Sequence, residues 1–451
     1  MLTDAQRART GQSSEQMPDT LHTLSSHAAD TETGMAVGPR EHSKAPTPSH
    51  PAVTALCFYY YPQAGGGADR LMQRVAELLA GAGWPMTVLT QAIGGVPNRE
   101  VVNGVDVRRL PILSLPGLRF FSYMASAFWQ QLFQARVKRG GAAPVSLPAG
   151  VGQVLHLNQM YLHVPLAIWL RRLRGPRVVV RVACGGPHGE LARLRGLPLG
   201  LGRWVLRAAR RADAVISLTN QITEELCLAG FARERIWQIA NGVDAGRFAP
   251  ADTDQRADLR QQLEWPPDQP VVLFAGRLEA QKGADVLLRA WKTVQARQPQ
   301  ALLVLAGDGS QRASLEALSQ ELSIAASVRF LGQRDTMLPL YQAADLFVLP
   351  SWSEGMSNAL LEAMACGLAP VATAIPGNTD VVTDESDGLL ATPGDAAHLA
   401  TALARLLEDT ALRARLAAAA RQTILARFAL EQTARQYAEL YQHLTQRAEK
   451  K

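Results

Sequence analysis

The stretch Leu346-Phe-Val-Leu-Pro-Ser-Trp-Ser-Glu-Gly-Met-Ser-Asn-Ala-Leu-Leu-Glu-Ala-Met-Ala-Cys-Gly367 carries the clearest structural signal in the chain. Its first four residues are apolar and read as a buried strand. Pro350 and Gly355 mark a loop, and helix formers run on from Ser357 or Asn358. A strand that ends in a loop and then a helix is the unit of a parallel α/β sheet. The first amides of such a helix lack intrahelical partners and carry the positive end of its dipole. They face the crevice beyond the carboxyl ends of the strands, where open α/β sheets bind ligands. Glu354 lies in the loop and Glu362 about one and a half turns into the helix. Two carboxylates beside an anion-receptive helix start suit a ligand with phosphate in its middle and hydroxyls at both ends, such as a nucleotide-sugar. An isolated Glu-x7-Glu pair would read equally well as a loop residue and a solvated helix residue.

Working outward, the same unit recurs. Gly276-Arg-Leu-Glu-Ala-Gln-Lys-Gly283 follows the strand VVLFA, placing Arg277 at a strand end and Lys282 just before the next helix. Two cations on one sheet edge can clamp a diphosphate, and charge-assisted bonds of this kind contribute about 1.5–3 kcal/mol each. Further strands are ALLVLAGDG, SVRFLG, ADLFVLPS and APVATA, and an Ala/Leu/Arg-rich helical region runs from about 395 to 447. Upstream, VTALCFYY reads as a first strand, Gly65-Gly66-Gly67 as its loop, RLMQRVAELLAGAG as a helix and PMTVLT as the next strand. QVLHL, RVVVRVA and DAVISLT continue the series. Glycine lets the backbone approach a ligand, but the dinucleotide fingerprint G-x-G-x-x-G is absent here and at AGDG, which argues against an NAD-dependent oxidoreductase.

The expected organisation is a disordered tail over 1–51 and two consecutive Rossmann-like β/α domains of similar size, over 52–248 and 249–451. The polar, proline-containing stretch 246–269 reads as the linker. The 451 residues are 47% apolar and 19% charged, which excludes a wholly disordered chain. The net charge of +6 favours anionic partners, yet no nucleic-acid recognition motif accompanies it. The four cysteines are far apart, which indicates neither a zinc site nor a disulfide framework and suits a reducing, cytoplasmic compartment.

YPQAGGGADR, NGVD (241–244), FAGRLEAQKG, LAGDG, VRFLG, LFVLPSWSEGMSNALLEAMACG and GLLATPGD together resemble the retaining GT-B-fold glycosyltransferases of family 4, the group 1 glycosyl transferases. The resemblance covers nearly the whole chain beyond the tail and is densest over 236–395. It implies two Rossmann-like domains facing each other across a cleft, an N-terminal acceptor domain over 52–248 and a C-terminal nucleotide-sugar donor domain over 249–451 whose last helices pack back on the first, with a UDP- or GDP-sugar as donor substrate and no tightly held metal. Arg277 and Lys282 would hold the donor diphosphate and Glu354 the transferred sugar. Backbone amides of Gly355, Met356, Ser357, Asn358, Ala359 and Leu360 would face sugar and phosphate. Glu362 would bond the ribose, Leu331 and Gly332 would border the base, and Gly66 would approach the phosphates. Departures are IPGNTD, with Asp380 where the family often has Gly-Gly-Glu, and CGGPHGE, where His188 is the nearest match to a sugar-facing histidine and equally reads as a plain loop residue. His156 and His163 read as packing or rim residues. Asp252-x-Asp254 imitates a metal-binding D-x-D but lies in the linker.

The implied reaction is transfer of a hexose-type sugar to a glycan or lipid-linked acceptor in cell-surface polysaccharide or glycolipid synthesis. A non-catalytic sugar-nucleotide-binding relative would keep the fold and lose one of Glu354, Arg277 or Lys282. A two-Rossmann epimerase or phosphorylase is the enzymatic alternative. Residues 171–211 hold eleven arginines, no lysine and the single acid Glu190, just after the aromatic-rich LRFFSYMASAFWQQLF (118–133). Basic charge beside aromatics suits the anionic inner face of a cytoplasmic membrane. The same stretches equally suit an amphipathic core helix and a solvated arginine face.

Overall fold

The computed structural model describes residues 50–60, 67–112, 123, 126, 127, 153–187 and 189–449. The expectations for most of the 1–51 tail, for Gly66 and for His188, and most of 118–133, fall outside them. The first half is built on strands β1 (Ala52–Leu56), β2 (Met86–Gln91), β3 (Arg99–Val102), β4 (Val105–Leu110), β5 (Gln153–Leu157), β6 (Arg177–Val182), β7 (Ala214–Ser217) and β8 (Ile236–Gln238). Their order in the sheet is β3-β4-β2-β1-β5-β6-β7-β8, parallel except for the β3–β4 hairpin at the edge. Helices α1 (Gly67–Gly81), α2 (Val164–Arg174), α3 (Glu190–Arg195), α4 (Leu201–Ala209) and α5 (Asn220–Leu228) connect them. The central strands are mostly apolar and almost wholly buried, as a helix-covered parallel sheet requires.

The second half repeats the plan with β9 (Val271–Ala275), β10 (Leu302–Ala306), β11 (Val328–Gly332), β12 (Leu346–Leu349), β13 (Ala369–Thr373) and β14 (Leu389–Ala391). Its order, β11-β10-β9-β12-β13-β14, is the 3-2-1-4-5-6 arrangement of a doubly wound sheet. The order reverses between β9 and β12, so the crevice that binds ligands in such sheets opens beyond those two strands. They are the strands followed by Arg277 and Glu354.

The expected linker is in part a helix. Helix α6 (Thr253–Gln262) opens on a capping box in which the Asp252 carboxylate accepts from Gln255 N at 2.8 Å. Asp252 is therefore an N-cap rather than part of a metal site. Helix α6 packs against α9 (Leu338–Ala343), which follows α7 (Ala284–Arg297) and α8 (Arg312–Glu321). Asp345 joins α6 to the sheet, accepting from Arg256 and Arg260 at 2.6 Å each and from Val271 N at 2.8 Å. These three donors hold its carboxyl below its usual range against the opposing effect of burial.

The long helical region divides at Asp409, which caps the helix after it, and again at Phe428. After α10 (Asn358–Ala365) and α11 (Pro376–Thr379) come α12 (Ala396–Glu408), α13 (Thr410–Arg427) and α14 (Leu430–Glu449). Helix α14 leaves the second half and packs on the first sheet, where Tyr437, Leu440, Tyr441 and Leu444 share a core with Val53, Val75, Leu79 and Val154. Tyr441 Oη and His156 Nδ1 lie 3.0 Å apart. Burial and the charge of Arg181 push the His156 pKa down to about 3, so the ring is neutral. Burial lowers His163 to about 4. Both histidines are packing residues. Replacing Asp345 by alanine strands the buried Arg260 without its charge partner; the expected loss is about 3–5 kcal/mol of stability, read as a lower urea midpoint.

Candidate active site

Strand β12 ends at Leu349, and the chain turns through Pro350–Ser357 before α10 begins at Asn358. Ser357 is the N-cap, its Oγ accepting from Leu360 N at 3.4 Å. The Leu360 amide is thus consumed by the cap and is not among those able to face a ligand. The amides of Gly355, Met356, Ser357, Asn358 and Ala359 have no hydrogen-bond acceptor among the described residues. They form a run of donors at the positive end of the helix, the arrangement that accommodates phosphate.

Glu354 sits at the mouth of this loop with its side chain 8% exposed. Its Oε1 accepts from Lys282 Nζ at 2.6 Å and from Ser351 Oγ at 2.7 Å. Both bonds fall on one oxygen, and Oε2 takes no hydrogen bond among the described residues. Lys282 reaches it because Gly283, at φ +64°, turns the chain tightly over Pro350; a Cβ there would collide with the Pro350 carbonyl. The residues after β9 and β12 thereby form one unit. Arg277, three residues before the Ala280–Lys282 turn begins, is exposed, and its guanidinium makes no hydrogen bond or ion pair among the described residues. Gly332 ends β11 at φ +68°, with its carbonyl accepting from Gly307 N at 2.9 Å, and Leu331 before it is half-buried.

Glu362 faces a separate part of the cleft, about 270 Å³ in volume, whose walls include Arg70 and Arg74 of α1, Arg247, Asp335 and Met337. Burial raises its pKa, while a hydrogen bond from Tyr341 Oη at 2.9 Å and the charges of Arg70 and Arg247 work against that rise. The two carboxylates singled out from sequence flank the helix start as expected, but in different surroundings. One is tied to a lysine. The other is buried against a tyrosine with two arginines nearby.

Several residues that sequence reading left unassigned join the halves at this loop. Asn241 Nδ2 donates to Met356 O at 3.1 Å and to Asn358 Oδ1 at 2.9 Å, and its backbone N–H meets Met356 Sδ at 3.3 Å. Asn358 Nδ2 donates to Gly67 O at 3.2 Å. Arg181, 1% exposed, donates to Asn241 Oδ1 at 2.7 Å and Asn158 Oδ1 at 3.3 Å, and Asn158 Nδ2 donates to Asp69 Oδ1 at 2.9 Å. Burial raises Asp69 to about 6. This polar chain runs from the ends of the first sheet to the start of α10. A charge within the apolar run RVVVRVA was its sequence signal, because arginine is seldom fully buried without partners.

The two halves approach closely at Gly355, where a Cβ would collide with the Ala183 carbonyl. Beside it, Glu190 accepts from Met160 N and Ala183 N at 2.8 Å each, and burial raises its pKa to about 7. Asp380 accepts from Asn220 N at 3.1 Å and Nδ2 at 2.9 Å, so it clasps α5 of the first half. Among the described residues no group of His, Cys, Asp or Glu is placed to hold a metal ion.

Two Rossmann-like sheets with a charged cleft at the switch point of the second make up the GT-B architecture. Residues 255–423 match the family model described as glycosyl transferases group 1, and residues 65–247 that of glycosyltransferase family 4. The chain is 31% identical over 426 residues to a D-inositol 3-phosphate glycosyltransferase of Salinispora arenicola, covering 87% of this chain and 92% of the relative. It is 34% identical over 231 residues to a lipopolysaccharide core biosynthesis glycosyltransferase, LpsE, of Rhizobium meliloti, covering 51% of this chain and 64% of that one. Anabaena HepE, solved in complex with UDP-glucose, superposes with a TM-score of 0.70 at 22% identity, covering 87% of this chain and all of HepE. The chain belongs to the group 1, family 4 glycosyltransferases and is a transferase enzyme.

Two outcomes follow from the contacts between the halves. Asn241→Ala removes the support of Met356 and Asn358 and leaves Arg181 short of an acceptor. It should lower stability by about 1–3 kcal/mol and raise the donor KM, measured by urea unfolding and steady-state kinetics. Because the folded pKa of Glu190 lies above its ordinary 4.5, its stabilising contribution is complete below about 4.5 and is lost as pH rises through about 7. Glu190→Gln should therefore flatten the dependence of Tm on pH across that window.

Proposed function

We propose that the protein transfers a hexose-type sugar from a nucleotide-sugar, with retention of configuration, to a glycan or lipid-linked acceptor in cell-surface polysaccharide or glycolipid synthesis. The observation that carries the reading is the unit formed by Lys282, Glu354 and the amides of 355–359, which are unpaired among the described residues, with the exposed Arg277 on the same sheet edge. Cations and amides gathered at a switch point suit a diphosphate, and the free Glu354 Oε2 suits a sugar hydroxyl.

In this reading the donor diphosphate lies across the start of α10, with Arg277 and Lys282 as its counter-charges. Glu362 bonds the ribose, and the base lies toward Leu331 and Gly332. Gly66 and His188 belong to the first half's share of the site, His188 on the sugar or acceptor side. The acceptor hydroxyl approaches the anomeric carbon on the face from which the diphosphate leaves. The new C–O bond forms as the bond to the β-phosphate oxygen breaks, and that oxygen takes the hydroxyl proton. Charge grows on the leaving group, so Arg277, Lys282 and the amides bind the transition state more strongly than the ground state. Glu354 holds the sugar and does not attack it.

A uridine donor is favoured by the likeness to HepE, solved with UDP-glucose. The named activities of the Salinispora and Rhizobium relatives, on an inositol phosphate and in lipopolysaccharide core synthesis, favour a polyhydroxylated, phosphate-bearing or lipid-linked acceptor. No described helix is long and apolar enough to cross a membrane, and the proposed setting is the cytoplasm, at the inner face of the cytoplasmic membrane.

Arg277→Ala, Lys282→Ala and Glu354→Ala should each lower kcat by about 10²–10³ while circular dichroism stays unchanged. UDP-glucose should raise the Tm of the unsubstituted protein, and less so that of the two cation variants. Near-normal turnover in all three variants overturns the assignment.

A further inference from the structure

We infer that Tyr341 is a positioning residue for nucleotide recognition: its hydroxyl fixes the Glu362 carboxylate so that one oxygen stays open to a ribose hydroxyl. The inference deepens the donor reading above and rests on it, since Glu362 is the ribose ligand there. Tyr341 lies on α9, which follows β11. The stretch that borders the base in that reading therefore also sets the carboxylate beside the sugar of the nucleoside.

The phenol has little freedom. Tyr341 is 1% exposed. Its ring meets Phe248 and Phe347 edge to face, with centroids 6.2 and 6.1 Å away. Helix α9 is fastened at its C-terminal end. Arg260 Nε donates to Ala343 O at 3.0 Å, Arg256 to Ala344 O at 3.2 Å, and Gln342 Nε2 to Ala249 O at 2.8 Å. A side chain locked by packing on a braced helix presents its hydroxyl in one place. That hydroxyl donates to Glu362 Oε2 at 2.9 Å. Oε1 takes no hydrogen bond among the described residues, and the side chain lines the recess of about 270 Å³ between the halves.

The charges around Glu362 leave that oxygen open. Arg70 and Arg247 act on the carboxylate from α1 and from the segment after β8. Among the described residues neither forms an ion pair with it. Arg74, one turn along α1, is bonded to Glu77 at 3.0 Å, and the Arg247 guanidinium lies 5.4 Å from the Phe248 ring. The other titratable neighbours are Asp244 and Asp335 in the walls of the recess and Cys366 at the end of α10. Burial pushes the Glu362 carboxyl up, and the bond from Tyr341 is foremost among the effects that oppose it. Burial and the carboxylate hold the Tyr341 hydroxyl far above its ordinary range, so it stays a donor. An ionised carboxylate accepts a hydroxyl proton more strongly than a neutral acid does. Tyr341 thus supplies orientation and preserves charge.

Calorimetric titration of the full chain with UDP and GDP, each beside its 2′-deoxy and 3′-deoxy forms, tests the inference. The unsubstituted protein should bind one nucleotide at least about tenfold more tightly than one of its deoxy forms, as a hydrogen bond to a charged group requires. Glu362→Ala should bring that ratio below about twofold, because the acceptor is gone. Tyr341→Phe keeps the ring on Phe248 and Phe347 and loses only the hydroxyl. It should cut the ratio at least about threefold by weakening the ribonucleotide alone, whereas a general structural defect weakens both forms alike. Without the bond, burial pushes the Glu362 carboxyl higher, so ribonucleotide affinity should begin to fall at a higher pH on acidification than in the parent. A protein that binds neither nucleotide, or a ratio unmoved by Glu362→Ala, removes the donor reading and this inference with it. A ratio lost in Glu362→Ala but kept in Tyr341→Phe, equal weakening of both forms, or an unshifted pH profile overturns the positioning role alone.

Discussion

A lysine ammonium and a carboxylate 2.6 Å apart, both largely withdrawn from water, set the geometry of the site. Removing such charges from solvent is costly unless each finds its counterpart. The pairing of Lys282 with Glu354 therefore pins the loop after β9 to the loop after β12. The unusual backbone of Gly283 and the capping of α10 by Ser357 both serve that junction. With the two loops fixed, the free amides at 355–359 and the exposed Arg277 share one crevice. A site held in this way is ready before any ligand arrives, which is what electrostatic stabilisation of a leaving group needs.

The second constraint is that the crevice is closed from the other half. Asn241, Arg181, Asn158 and Asp69 form a buried polar chain, each member hydrogen-bonded to the next. Buried networks of this kind favour one arrangement over others because a slipped neighbour leaves a polar group unpaired. Helix α14 adds an apolar strap by crossing back to the first sheet. The halves are thus connected by groups that discriminate geometry and by groups that simply bury area.

Much of the architecture was legible because parallel sheets write plainly in sequence. Apolar runs such as VVLFA and LFVL, each followed by a glycine-bearing loop and a helical period, leave few alternatives. What was missed had weaker local signals. The β3–β4 hairpin turns on Asn103-Gly104, both with positive φ, a dipeptide that marks such turns. Helix α6 was hidden by its polar composition and near-absence of an apolar face, yet Asp252 and Gln255 spelled out its cap.

The sequence by itself determined which residues end the strands, and so which cations, carboxylates and amides border the crevice, because strand ends follow from local pattern. Only the tertiary structure decided how they are used. It paired Lys282 with Glu354, consumed the Leu360 amide in a cap, set Asp380 to clasping α5, and gave Asn241 and Arg181 their places between the halves. Those outcomes depend on residues far apart in the chain meeting in space. Hydrogen bonding and desolvation act on such meetings and leave little trace in local sequence.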